Sequence, residues 1–157
     1  MNESSRSVKQ SPFLDRVEAQ MQSIGTGTFL GSDSRRLAEI LTDDQDWLHS
    51  LGLTHEDVAN RLEALGRVAR RRLGDSVEVE GRYDVIAYES RGVIPCPWTH
   101  PKGLFRKSHF ELRDQKSGET LKWTDLSLHL IREHGFYQGR GSPYRLEPRL
   151  IKEVLFE

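Results

Sequence analysis

Apolar residues recur every three or four positions through the first half of the chain and every second position through much of the rest. That pattern predicts helices followed by strands. Phe13, Leu14, Val17, Met21 and Ile24 keep helical spacing from Pro12 to about Ser23, with Pro12 suited to a first turn and Gly25-Thr26-Gly27-Thr28 interrupting the run. Ser32-Asp33-Ser34 offers N-caps for a helix through about Leu41, and Thr42 or Asp43 begins another that carries Trp47, Leu48 and Leu51. The strongest helical signal comes next. Thr54-His55-Glu56-Asp57 is a capping box with Asp in place of Glu, and Val58, Leu62, Leu65, Ala69 and Leu73 form one apolar stripe that Gly74 ends.

Beyond Asp75 the period shortens. Val77, Val79, Tyr83, Val85, Ile86 and Tyr88 read as one or two strands with a turn or bulge at Gly81. Lys107–Arg113 alternates as a strand, 114–118 is a turn, and Glu119–Trp123 returns as the partner strand. Thr124 or Asp125 then caps a helix through His134, with Gly135 at the C′ position; residues 139–145 read as a loop and Pro148–Phe156 as a short helix or strand. The expected fold class is α+β: a helical N-terminal half followed by a small antiparallel β-sheet with a packed C-terminal helix. Three regions follow, a polar Ser-rich tail over 1–11 expected to be disordered, a helical region over 12–74 and an α+β region over 75–157, and one compact domain can hold the last two.

Composition narrows the setting. The chain has 157 residues, 36% hydrophobic and 30% charged. A chain of this size buries roughly 68–70% of its unfolded surface, enough for a core without disulfide staples. No apolar run approaches the roughly 20 residues of a membrane-crossing helix, and the polar first ten residues lack a secretory h-region. A lone cysteine, Cys96, cannot make an internal disulfide, so the expected location is cytoplasmic. Net charge is −1, with 10 basic and 12 acidic residues through Asp75 and 13 basic and 12 acidic beyond it. Such balance disfavours broad polyanion binding and membrane attachment; a protein or an anionic ligand is the better-matched partner, with nucleic acid weakly supported.

The chemistry concentrates between Cys96 and His134, a stretch that holds the only cysteine and four of six histidines. Cys96 and His100 form a Cys-x3-His pair in a loop stiffened by Pro95, Pro97 and Pro101; His129 and His134 form a His-x4-His pair on the predicted helix. Thiolate and neutral imidazole are the donors zinc prefers, and a tetrahedral site takes four of them, with His109 as an alternate ligand. The order of loop pair, hairpin and helix resembles a stretched two-cysteine, two-histidine zinc finger in local geometry. It departs from that pattern in having Cys/His for Cys/Cys and 28 residues (101–128) between the pairs. Positions five apart lie about 140° around an ideal helix, which is wide for a shared ligand. Four protein ligands would make the site structural; three would leave a position for an activated water and hydrolysis. His-Leu-Ile-Arg-Glu-His has one residue too many for an inverted zinc-peptidase motif, so Glu133 is a poor base by spacing. Cys96 as a nucleophile has no supporting local signature.

Other polar groupings are plainer. Gly25-x-Gly27 follows no strand and precedes no Gly-Lys-Ser, so it is not a phosphate loop. Arg67, Arg70, Arg71 and Arg72 complement the C-terminal end of a helix dipole. Arg140, Ser142, Tyr144 and Arg145 combine guanidinium and hydroxyl groups on a Gly-rich loop and, with Lys102, Arg106 and Lys107, form a candidate anion-binding face. Trp98, Phe105, Phe136 and Tyr137 are read as closing a small core near it. The leading functional expectation is a non-enzymatic binding or regulatory module with a structural zinc site in its C-terminal half. A small metal-dependent hydrolase using the same cluster is the alternative, and an RNA- or phosphate-binding domain the weaker one.

Overall fold

A computed structural model describes residues 8–101 and 103–157, so the expectations for residues 1–7 and for Lys102 lie outside the described residues. The first helix, α1 (Pro12–Phe29), runs past the predicted stop because a non-helical Gly25 kinks it without ending it. Val8 and Gln10, at the end of the polar tail, bond to Thr42 and to the Ala38 backbone on the next helix. That helix, α2 (Leu37–Ser50), is continuous where two were expected. Asp33 does not cap it; its carboxylate is taken by Arg35 at 2.7 Å, and buried Leu37, Ile40, Leu41 and Leu48 hold one unbroken face. In α3 (His55–Arg70) the capping box forms as read, with Thr54 Oγ1 accepting from Asp57 N at 3.0 Å and Asp57 Oδ2 accepting from Thr54 N at 3.1 Å. The helix ends at Arg70, four residues before Gly74.

Six strands follow: β1 (Val77–Val79), β2 (Tyr83–Tyr88), β3 (Val93–Pro95), β4 (Leu104–Arg106), β5 (His109–Asp114) and β6 (Thr120–Thr124), then α4 (Asp125–His134) and α5 (Pro148–Leu155). An antiparallel sheet of order β1-β2-β5-β6 carries the alternation seen in the sequence, and β3 and β4 pair as a separate ribbon. Left-handed Glu80 and Gly81 turn β1 into β2. The β5–β6 turn closes on Asp114, which accepts from Ser117 Oγ at 2.7 Å, Lys116 N at 3.1 Å and Arg82 Nε at 2.7 Å. The predicted helical half, antiparallel sheet and packed C-terminal helix are thus present, and the fold class is α+β.

Two apolar clusters fill the interior, and each draws on residues from both sides of Asp75. One sets α3 against the inner face of the sheet, where Phe110 pairs with Trp123 and Leu112 with Leu121, and adds α5. There a Cβ on Gly66 would lie 3.1 Å from the Phe110 ring, so glycine allows the close approach. The other gathers α1 and α2 with Cys96, Trp98, Leu126, Leu130 and Phe136. Where α2, α5 and the loop before α5 meet, Arg145 and Asp44 form a two-pronged ion pair at 2.5 and 2.8 Å, with side chains only 8% and 2% exposed. Removing one partner strands a buried charge. Arg145→Met is expected to lose about 3–5 kcal/mol in urea unfolding, with Asp44→Leu recovering part of that in the double variant; additive losses would disprove the coupling.

Candidate metal centre

Between β3 and β4 the described residues 96–101 and 103 form a closed knuckle. Cys96 N donates to Gly103 O at 2.7 Å, Thr99 N to Cys96 O at 3.0 Å and Gly103 N to His100 O at 3.2 Å. Any Cβ on Gly103 would sit 2.9 Å from the His100 carbonyl oxygen, so the knuckle requires glycine. Cys96 is buried in the second apolar cluster, which fixes its sulfur from behind.

Across from the knuckle stands α4. Thr124 and Ser127 cap it reciprocally, Leu126, Leu130 and Ile131 bury its inner face, and left-handed Gly135 stops it. His134 therefore occupies the last turn, at the negative end of the helix dipole, where a cation is favoured. His129 lies a turn and a half earlier. The wide phase between them is met from outside the helix, because each histidine faces one donor of the knuckle. His100 Nε2 lies 2.8 Å from His129 Nε2, and Cys96 Sγ lies 3.5 Å from His134 Nε2. The ligand atoms of Cys96, His100, His129 and His134 all lie within 4.8 Å of one another, so this group could hold a metal ion.

Rings hold the imidazoles in place. Trp98 stacks on His134 at 4.3 Å between centroids with a 7° interplanar angle, and Phe105 packs against His129 at 4.5 Å. His100 Nδ1 lies 3.1 Å from Pro101 O; donating there leaves the Nε2 lone pair directed at the cluster. Burial pushes the proton affinity of His134 down to about 4, with His129 and His100 adding to the effect, and lowers that of His129 as well. Both histidines are neutral donors at neutral pH. Burial raises the Cys96 thiol, so a bound cation is what would draw off its proton.

Not every expected site residue joins this group. His109 does not: it stacks on Tyr88 at 4.8 Å on β5, and its ring is outside the four converging donors. The residues of the expected anion-binding face are held in different surroundings. Arg145 is consumed by Asp44 and Glu147, and buried Ser142 donates to Thr28 O at 2.5 Å. Arg140 lines a depression in which it, Arg35, Arg145 and Arg149 are matched by Asp43, Asp44, Asp46 and Glu147. Tyr144 alone of those four lines a cavity with Arg106 and Lys107. The sequence reading missed the β3–β4 ribbon; its signal was the pair of short triplets, Val-Ile-Pro and Leu-Phe-Arg, placed symmetrically about the knuckle.

Comparison with family models, with curated proteins and with solved structures finds no match to this chain. Among the described residues no helix is long and apolar enough to cross a membrane.

The neutral histidines carry a pH signature. A histidine at about 6.5 when unfolded and about 4 in the fold binds more protons unfolded across that window, so stability falls as pH drops through it. Chelator-treated protein is expected to melt lower at pH 5.5 than at pH 7.5, with His134→Gln flattening the dependence. A melting temperature that does not move between the two pH values would rule out buried neutral imidazoles here.

Proposed function

We propose that this protein is a non-enzymatic binding or regulatory module whose C-terminal half is knitted together by a structural zinc ion. Cys96, His100, His129 and His134 would supply the four ligands. The observation that carries the reading is the convergence of one sulfur and three imidazoles from two separate elements within 4.8 Å. Tetrahedral zinc places sulfur and nitrogen about 3.6 Å apart and two nitrogens about 3.3 Å apart, given bonds of roughly 2.3 and 2.0–2.1 Å. The Cys96–His134 separation of 3.5 Å suits the first, and the His100–His129 pair at 2.8 Å needs to open by a few tenths of an ångström. A thiolate with three imidazoles selects a borderline-soft cation over calcium or magnesium. A full set of protein ligands leaves no place for a catalytic water, which supports a structural role.

A second reading, a small metal-dependent hydrolase, draws on one feature. The cluster opens into a shallow depression lined by His100, His129, His134 and Glu133, where a carboxylate could serve a metal-bound water if one ligand were released. Elemental analysis of protein purified without added metal tests the main reading. About one equivalent of zinc is expected, falling at least tenfold in occupancy in Cys96→Ser/His129→Ala, with a lower melting temperature. Less than a tenth of an equivalent, with stability unaffected by the double substitution, ends the proposal. Glu133→Gln is expected to leave zinc content unchanged; loss of a zinc-dependent ester hydrolysis in that variant would move the assignment to the hydrolase.

A further inference from the structure

The β3–β4 ribbon has two edges, and only one of them is guarded. Cys96 N donates to Gly103 O, and these two residues continue the register in which Val93 faces Arg106, Ile94 faces Phe105 and Pro95 faces Leu104. Bonded and non-bonded pairs alternate along an antiparallel ladder, so Ile94 and Phe105 bond to each other while the pairs on either side do not. The backbone N–H and C=O groups of Leu104 and Arg106 therefore point away from β3. Among the described residues no further strand pairs with the ribbon, and no turn, loop or cap bond reaches these groups. The β3 edge is blunted by Pro95, which has no N–H to offer. On β4 there is no such guard: two residues present two donors and two acceptors in one row.

The side chains along this edge specify what suits it. Ile94 and Phe105 face the core, which leaves Val93, Pro95, Leu104 and Arg106 on the outer side of the ribbon. Val93 is 54% exposed, and Leu104 at 64% is the most exposed large hydrophobic residue described. Arg91, Arg106 and Lys107 are exposed beside them and form no ion pair among the described residues. Charge is segregated in this stretch. From Ser90 to Phe110 the sequence holds four of the 23 Lys and Arg residues and none of the 24 Asp and Glu. A free edge with an aliphatic and a cationic side chain two residues apart matches an extended segment with an apolar residue and a carboxylate at the same spacing. Such a segment also supplies the third strand that a two-stranded ribbon lacks. A second copy of the chain fits poorly, because pairing β4 with itself sets the Arg106 and Lys107 cations of both copies together. Nor does the ribbon offer a nucleic acid a stacking surface, since its one aromatic strand residue, Phe105, is turned inward onto His129.

We propose that β4 is a docking edge for an acidic, extended peptide segment of a partner protein. The segment bonds to the Leu104 and Arg106 backbone, rests an aliphatic side chain on Leu104 and sets a carboxylate against Arg106 and Lys107. This gives the binding module proposed above its partner, but it rests on the ribbon edge and not on the identity of the ion. The probes are fluorescent nonapeptides titrated into the full chain as purified: Thr-Val-Thr-Asp-Thr-Val-Thr-Asp-Thr, its Glu counterpart and its Lys counterpart. At least one acidic peptide is expected to bind one-to-one, about tenfold or more tighter than the Lys peptide. N-methylation of one alternating set of its backbone amides is expected to abolish binding, and of the other set to leave it, as only one set can face β4. Leu104→Pro removes an edge N–H that bonds to nothing in the fold, so it is expected to lose binding with the melting temperature unchanged. Arg106→Glu/Lys107→Glu is expected to reverse the preference toward the Lys peptide. Failure of both acidic peptides at millimolar concentration overturns the proposal, as does equal binding of the Lys peptide or tolerance of both methylated sets. A dimer of the chain that Leu104→Pro dissociates would instead assign the edge to a second copy and end the peptide reading. Zinc content is measured on the same samples: zinc-free protein that binds the peptide defeats the metal reading alone, and zinc-loaded protein that does not defeats this one alone.

Discussion

A two-stranded ribbon with three residues in each strand cannot hold its place by backbone pairing alone. Isolated hairpins are marginal in water even when longer. Yet among the described residues β3 and β4 pair only with each other and join no other sheet. Their position must come from what the ribbon leans on. Ile94 and Phe105 pack against the apolar cluster of α1 and α2, and Cys96 and Trp98, in the knuckle, are buried in it. The remaining tie is polar: His100 and Cys96 reach the two histidines of α4. Everything distinctive in this fold, the candidate metal centre at the tip of the ribbon and the cavity along its side, follows from how that small ribbon is fastened to one helix.

The helix that receives it is suited to the task. Its reciprocal Thr124/Ser127 cap and its left-handed Gly135 fix both ends, so the histidine positions do not drift. Leu126 and Leu130 face the cluster of α1 and α2, and Ile131 faces the cluster of α3 and the sheet. One ten-residue helix thus joins both halves of the core. Close-packed interiors transmit small displacements, so a change at the end of α4 is felt in both clusters.

What the sequence revealed, and what it hid, divides along the range of the interactions involved. Local chemistry was legible. The Thr54 and Thr124 caps, the Asp114 turn and the Gly135 stop all depend on groups within a few residues of each other. The break expected between Leu41 and Thr42 failed because a continuous buried face outweighed polar residues that resemble caps, and Asp33 found Arg35 instead. Long-range pairing was less readable. Arg145 looked like an anion-binding side chain because its partner Asp44 lies 101 positions away in sequence. The four metal-ligand candidates were nameable from residue type, but the phase of His129 and His134 argued against them until the knuckle supplied a donor to each.

The placement of the two features also orders their significance. Ile94 and Arg106 line the cavity and belong to the strands on either side of the knuckle, so the ribbon is both the arm that presents Cys96 and His100 and the wall of the cavity. A cation bound between knuckle and helix would shorten the fluctuations of that wall by anchoring its tip. With four protein ligands the proposed centre would be closed, and its part would be structural. It would then brace a ribbon whose own pairing is only three residues long in each strand.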